Sequence, residues 1–226
     1  MKFDLMPPAD QLVMMMERIY GYGMTTTSGG NLSILDSNGD IWITPGGVDK
    51  GSLTRDDMVC VKANGDVVGK HKPSSEFPFH KKMYETRSDI RAVLHAHPPA
   101  LVAFSAVRKV PNTKIIPDVN QVCGPIGLAK YGLPGSDNLG EKIALEFAKD
   151  TDIDTVILEN HGVVIGHSDL FNAFKAFETI EYCARIQINA NIIGTEKSLS
   201  DKNLQLAADN LNPFMDELIQ TTHSTE

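Results

Sequence analysis

The chain has 226 residues, 42% of them apolar and 22% charged, with a net charge of −8. That length and balance fit one globular domain with a substantial core, and an acidic surface without a Lys/Arg stripe excludes nucleic acid as a partner on charge grounds. No run approaches the ~18 uninterrupted apolar residues of a membrane span. Asp4, Pro7, Pro8 and Asp10 interrupt any signal peptide, and Cys60, Cys123 and Cys183 form no disulfide pattern, so a cytoplasmic location is expected.

Residues 9–20 are predicted as a helix that ends near Gly21 and Gly23, its Met run serving as core filler. Ser28-Gly29-Gly30-Asn31 opens a strand over 32–35, and residues 36–40 turn it back into a partner over 41–44. Pro45-Gly46-Gly47 is a sharp loop, 53–57 a helical turn and 58–62 a strand, and Asn64-Gly65-Asp66 signals a hairpin before Val67 and Val68. A helix is predicted over 76–86, a strand over 92–97 and a helix over 100–107. Residues 111–136, rich in Pro and Gly, read as mostly loop. A helix over 138–149, a strand over 155–166, a long helix over 170–193 and a tail helix near 204–219 complete the order. Strands that cluster early in hairpins, with helices interspersed later, suggest a layered α/β domain with a mainly antiparallel sheet. The core spans about 9–193 and the tail 195–226.

Four side chains carry the chemistry. His95 and His97 lie two apart on one short apolar strand, so both imidazoles face the same way. Pro98-Pro99 ends that strand, which puts the pair at its C-terminal end. His161-Gly162 sits within a second run of β-branched residues, read as one strand in which a bulge at Gly162 re-aims the imidazole inward. Glu76 follows Pro73-Ser74-Ser75. Three imidazoles and a carboxylate suit zinc, and a histidine-rich set with an exchangeable carboxylate is the style of a catalytic rather than a structural site. His71, His80, His167 and His223 read as packing or surface histidines.

Three segments resemble oxyanion cradles. Ser75 is the predicted N-cap of the helix after it, where free N–H groups favour an anion. Ser28-Gly29-Gly30-Asn31 and Pro45-Gly46-Gly47 can form backbone nests, although most glycine pairs merely turn the chain.

Taken together, Gly30-Asn31-Leu32-Ser33, Ile43-Thr44-Pro45-Gly46-Gly47, Pro73-Ser74-Ser75-Glu76, His95-Ala96-His97 and His161-Gly162, in that order, resemble the class II aldolase/adducin head family. The resemblance implies a three-layer α/β/α fold around a mainly antiparallel sheet. It implies Zn2+, one per subunit, at His95, His97 and His161, with Glu76 as a displaceable fourth ligand. It implies a sugar phosphate bound through Asn31, Gly47, Ser74 and Ser75, and a homotetramer. The activity implied is cleavage of a ketose 1-phosphate to dihydroxyacetone phosphate and an aldehyde through a metal-stabilised enediolate, with Glu76 moving the proton. An L-ribulose-5-phosphate 4-epimerase-like reaction, a decarboxylase or dehydratase, and a non-catalytic adducin-like scaffold are the alternatives. Family aldolases carry Glu at the position of Glu76, and the epimerases carry Asp. The chain departs from the aldolases after the His-x-His strand, where residues 115–120 hold no Tyr. Tyr131, Asp118, Asn120 or a neighbouring subunit remain as sources of the acid at the aldehyde oxygen, and Phe214 stands in for a tail aromatic without its hydroxyl.

Overall fold

The computed structural model describes residues 3–210. Eight strands form one sheet: β1 (Asn31–Leu35), β2 (Ile41–Ile43), β3 (Val59–Val61), β4 (Val67–Val68), β5 (Ala92–Ala96), β6 (Ile126–Ala129), β7 (Thr155–Leu158) and β8 (Gly162–His167). Their spatial order is β4-β3-β2-β1-β5-β8-β7-β6. Every neighbouring pair is antiparallel except β6 and β7. That pair is joined through a helix, the crossover a parallel connection needs.

Six labelled helices cover the two faces: α1 (Pro8–Gly21), α2 (Phe77–Thr86), α3 (Pro99–Ala106), α4 (Pro117–Cys123), α5 (Asp137–Phe147) and α6 (Leu170–Ile193). The period-2 alternation of the strands decides which helix each residue meets. Leu32, Leu94, Ile157, Val163 and Ile165 pack with residues of α1, α3, α4 and α6, among them Leu12, Met16, Leu101 and Phe177. Val93, Val156, Leu158 and Val164 point the other way, onto Phe79 and Met83 of α2 and Ile143 and Phe147 of α5. The architecture is therefore the expected three-layer α/β/α.

The helices form where apolar spacing and capping agree. On α1, Leu12, Met15, Met16 and Ile19 fall on one buried stripe. Helix α6 starts where the Asp169 side chain accepts the Asn172 N–H at 2.7 Å. Helix α3 has no side-chain cap of its own. Glu181, on α6 and 1% exposed, accepts the N–H groups of Ala100 (3.2 Å) and Leu101 (3.0 Å) instead.

Three expectations are corrected. The stretch 111–136 is not mostly loop: it holds a 3-10 turn (Thr113–Ile115), α4 and β6. Pro117 at the first turn and Gly124 (φ +55) just past the end frame α4, whose Val119 and Cys123 are buried one turn apart. Residues 155–166 are not one strand with a bulge but two strands of a hairpin, with Glu159, Asn160 and His161 as its loop. Asn160 takes the left-handed conformation (φ +54), which Asn tolerates better than most residues. Ser75 is exposed and is not the N-cap of α2: Glu76 occupies that position, and the Ser74 hydroxyl accepts the Glu76 N–H at 3.3 Å. Residues 201–210 are helical; the remainder of the expected tail helix, with Phe214 and His223, lies outside the described residues.

Candidate functional site

His95 and His97 lie at the C-terminal end of β5, on the face that α2 covers, and Phe79 meets the His95 ring edge-on. The hairpin loop delivers His161 to the same point, because β8 pairs with β5 and Val163 lies opposite Ala96. Gly162 permits the approach. A Cβ there would lie 2.5 Å from the Ala96 carbonyl oxygen and 2.7 Å from the His97 ring. The ligand-capable nitrogens of His95, His97 and His161 all lie within 4.8 Å of one another. Glu76, at the N-terminus of α2, brings Oε2 to 3.2 Å from His95 Nε2 and Oε1 to 3.7 Å from His161 Nε2.

Proton accounting defines what this cluster needs. His95 Nδ1 is 2.9 Å from the Val163 carbonyl oxygen, which can only accept, so Nδ1 carries the hydrogen. Nε2 is then the His95 nitrogen turned toward a carboxylate oxygen and toward His97 Nε2, 3.0 Å away. Ring nitrogens and carboxylate oxygens gathered this closely in a buried site form a donor set suited to a cation. Burial, reinforced by His95 beside each ring, pushes His97 down to about 3 and His161 down to about 4, which keeps both imidazoles in the neutral, ligating form at pH 7. Burial works to raise the Glu76 pKa, but the charge and hydrogen bonding of His95, with help from Asn31 and His161, overcome it and hold the carboxyl below its ordinary range. Glu76 Oε1 and His161 Nδ1 are buried without a hydrogen-bond partner. Three nitrogen donors and one oxygen donor with orphaned polar atoms fit a divalent metal ion.

Beside the cluster lie the three loops read as cradles. Gly46 packs against Pro73–Ser75, and a Cβ on it would come within 3.1 Å of the Pro73 carbonyl oxygen. Gly47 (φ +71) faces open space. Gly29 sits against His97, where a Cβ would lie 2.7 Å from Nδ1. Asn31 has both ends of its carboxamide in use: Nδ2 donates to Glu76 Oε2 at 2.8 Å, and Oδ1 meets His80 Nε2. No motif flagged Thr25 or Lys50. The Thr25 hydroxyl is buried, unpartnered and close to Gly29 and Gly30. Lys50 is 3% exposed and donates from Nζ to the Pro45 carbonyl oxygen (2.6 Å), while its backbone N–H bonds the Thr27 carbonyl. The run of three threonines before Ser28 was the only available signal.

The residues considered as the aldehyde-side acid are not drawn into the cluster. Asn120 bonds Thr113. Asp118 lines a cavity with His167, at the far end of β8 and roughly 17 Å along the strand from Gly162. Tyr131 is half exposed, its backbone N–H held by Glu159 of the hairpin loop.

A mainly antiparallel α/β/α fold with three imidazoles and a carboxylate gathered at one point is the architecture of a metal-dependent enzyme rather than of a generic binding module. Residues 10–188 match the model of the class II aldolase and adducin N-terminal domain, and the chain belongs to that family as an aldolase-type enzyme. The L-fuculose phosphate aldolase of Methanococcus maripaludis (strain DSM 14266) is 34% identical over 174 residues, which is 76% of this chain and 92% of that protein. The 3-oxo-tetronate 4-phosphate decarboxylase of Haemophilus influenzae is 29% identical over 179 residues, 77% of this chain and 84% of its own. A solved L-fuculose 1-phosphate aldolase superposes with a TM-score of 0.79 at 31% identity, covering 91% of this chain and 96% of that one.

Proposed function

We propose that the protein is a zinc-dependent aldolase that cleaves a ketose 1-phosphate into dihydroxyacetone phosphate and an aldehyde. The observation that carries the reading is the convergence of His95, His97 and His161 on one point, with the Glu76 carboxylate 3.2 Å from His95 Nε2.

His95, His97 and His161 would hold the ion, and Glu76 would be its exchangeable fourth ligand. When bound, the ion supplies Lewis-acid stabilisation of the negative charge that develops as the C3–C4 bond breaks. Glu76 moves a proton at the carbon of the dihydroxyacetone phosphate half, a task suited to a carboxylate kept ionised and held by Asn31. Ser74, Ser75 and the Gly47 loop bind the phosphate, with the buried Lys50 adding positive charge beside Pro45. Asn31, beside Glu76, would contribute to binding the same sugar phosphate. With Asp118 and Asn120 away from the cluster, the acid at the aldehyde oxygen is either Tyr131, whose backbone is held by the His161 loop, or a group from a neighbouring subunit of a homotetramer. Sedimentation at four times the chain mass checks that part.

The decisive experiment follows the half-reaction that needs no aldehyde. Zinc-loaded protein is expected to exchange one C–H proton of dihydroxyacetone phosphate with deuterated solvent, and Glu76→Gln to keep its metal but lose the exchange. Undiminished exchange in the variant removes Glu76 from the chemistry. A panel of ketose 1-phosphates, L-ribulose 5-phosphate and a 3-oxo-tetronate 4-phosphate, with products identified, then separates cleavage from inversion and from decarboxylation.

A further inference from the structure

Behind Glu76 and Asn31 runs a buried line of polar side chains, His80, Ser33 and Tyr84, that the proposed chemistry does not itself use. Asn31 Nδ2 lies 2.8 Å from Glu76 Oε2, and Asn31 Oδ1 lies 2.5 Å from His80 Nε2. His80 Nδ1 lies 2.7 Å from Ser33 Oγ, which in turn lies 2.6 Å from the Tyr84 hydroxyl. His80 and Ser33 are completely buried and Asn31 is 4% exposed. The line exists because two periodicities match. Asn31 and Ser33 are two apart on β1, His80 and Tyr84 are four apart on α2, and the two pairs face each other across the helix–sheet contact.

Each bond in this line has one permitted direction. The Glu76 carboxylate only accepts, so Asn31 presents its NH2 to it. The Asn31 oxygen, now facing His80, only accepts, so His80 Nε2 carries the hydrogen. Burial keeps that ring neutral, which leaves Nδ1 bare to accept from the Ser33 hydroxyl. The Ser33 oxygen accepts from Tyr84, whose phenol burial keeps protonated. Reversing the Asn31 amide would set its oxygen against the Glu76 oxygen and its NH2 against the His80 N–H. Both contacts are repulsive, so the Glu76 carboxylate on one side and the His80 N–H on the other hold a single amide orientation.

We infer that His80 is a positioning residue: its Nε2–H, set against the Asn31 carboxamide oxygen and backed by Ser33 and Tyr84, locks the Asn31 amide so that Asn31 aims the Glu76 carboxylate. The inference rests on the reading of Glu76 as the proton-moving group, and two measurements keep the parts separable. Long-range proton–nitrogen NMR of the full chain, metal-free and zinc-loaded, is expected to show His80 as the neutral Nε2–H tautomer; the Nδ1–H tautomer overturns the inference whatever the activity. Solvent deuterium exchange into dihydroxyacetone phosphate supplies the second readout. His80→Phe keeps a ring to stack on Phe79 but has no donor. It is expected to lower turnover 10- to 100-fold with KM changed less than twofold. His80→Gln, which puts an N–H near the Nε2 position, is expected to recover turnover to within about threefold of the native rate. Equal losses in the two variants, or a loss confined to KM, mark a merely structural role and overturn it. Should His80→Phe fail to fold, Ser33→Ala takes its place, with mixed His80 tautomers and a 3- to 10-fold fall in turnover expected; a single tautomer with full turnover overturns the inference. Native protein that exchanges no proton would sink the proposed function, and the tautomer would still decide the wiring.

Discussion

The adjacent strands β1 and β5 present two unlike faces from one ladder. Toward α1, α3 and α6 they offer Leu32, Leu94 and Ala96, all fully buried hydrocarbon. Toward α2 they offer Asn31, Ser33 and His95 around Val93, equally buried but polar. The apolar face contributes through area removed from water and tolerates a range of shapes. The polar face contributes little net stability, because each hydrogen bond replaces one to water. Its bonds are directional, however, so it fixes where a carboxylate and three rings stand. One ladder thus divides stability from geometry by residue parity.

The sharpest way to break this comparison is on the polar face. His95→Ala is expected to reduce bound divalent metal from about one per chain to below a tenth after dialysis, measured by elemental analysis, with little loss of fold. Retained metal would show that the rings do not act as a set. One residue along the same strand, Leu94→Ala is expected to cost about 2–5 kcal/mol in urea unfolding while the folded fraction still binds metal. If both variants lost metal and stability alike, the two faces would not be separable.

A pH series gives the smallest effect. His80 is held near 3 in the fold by burial, against about 6.5 in the unfolded chain. Above pH 6.5 both states are neutral and the contribution to stability is complete. As pH falls from 6.5 toward 3 the unfolded chain takes up the proton first, and stability drops by about 1.4 kcal/mol per pH unit. Comparing native protein with His80→Gln in urea melts at pH 7 and pH 5 is expected to show a steeper acid loss in the native chain; equal slopes would refute the buried neutral ring.

The sequence made legible those features that a single segment carries alone. His95 and His97 alternate with apolar residues and end at a proline pair, so their shared face was readable. Helix α6 kept its expected bounds because Asp169 caps it and no proline interrupts it. The hairpin at His161 was missed because β-branched residues flank Glu159-Asn160-His161 on both sides, and only Asn160 hinted at a left-handed turn. Helix α4 and β6 were hidden by Pro117, Gly124 and Gly127, residues that frame or narrow elements as readily as they break them. The line from Glu76 to Tyr84 could not be read at all. It depends on a helix docking at one height on a strand, and no local pattern encodes that height.

The clasp between Glu181 and the start of α3 has a consequence for biosynthesis. The peptide that bears His97 is anchored by a side chain some 80 residues further along the chain, and His161 arrives only after β7 and β8. During translation the first two imidazoles therefore leave the ribosome before their third partner or their anchor exists. The three-imidazole cluster cannot form until His161 has emerged, nor take its anchored form until Glu181 has followed.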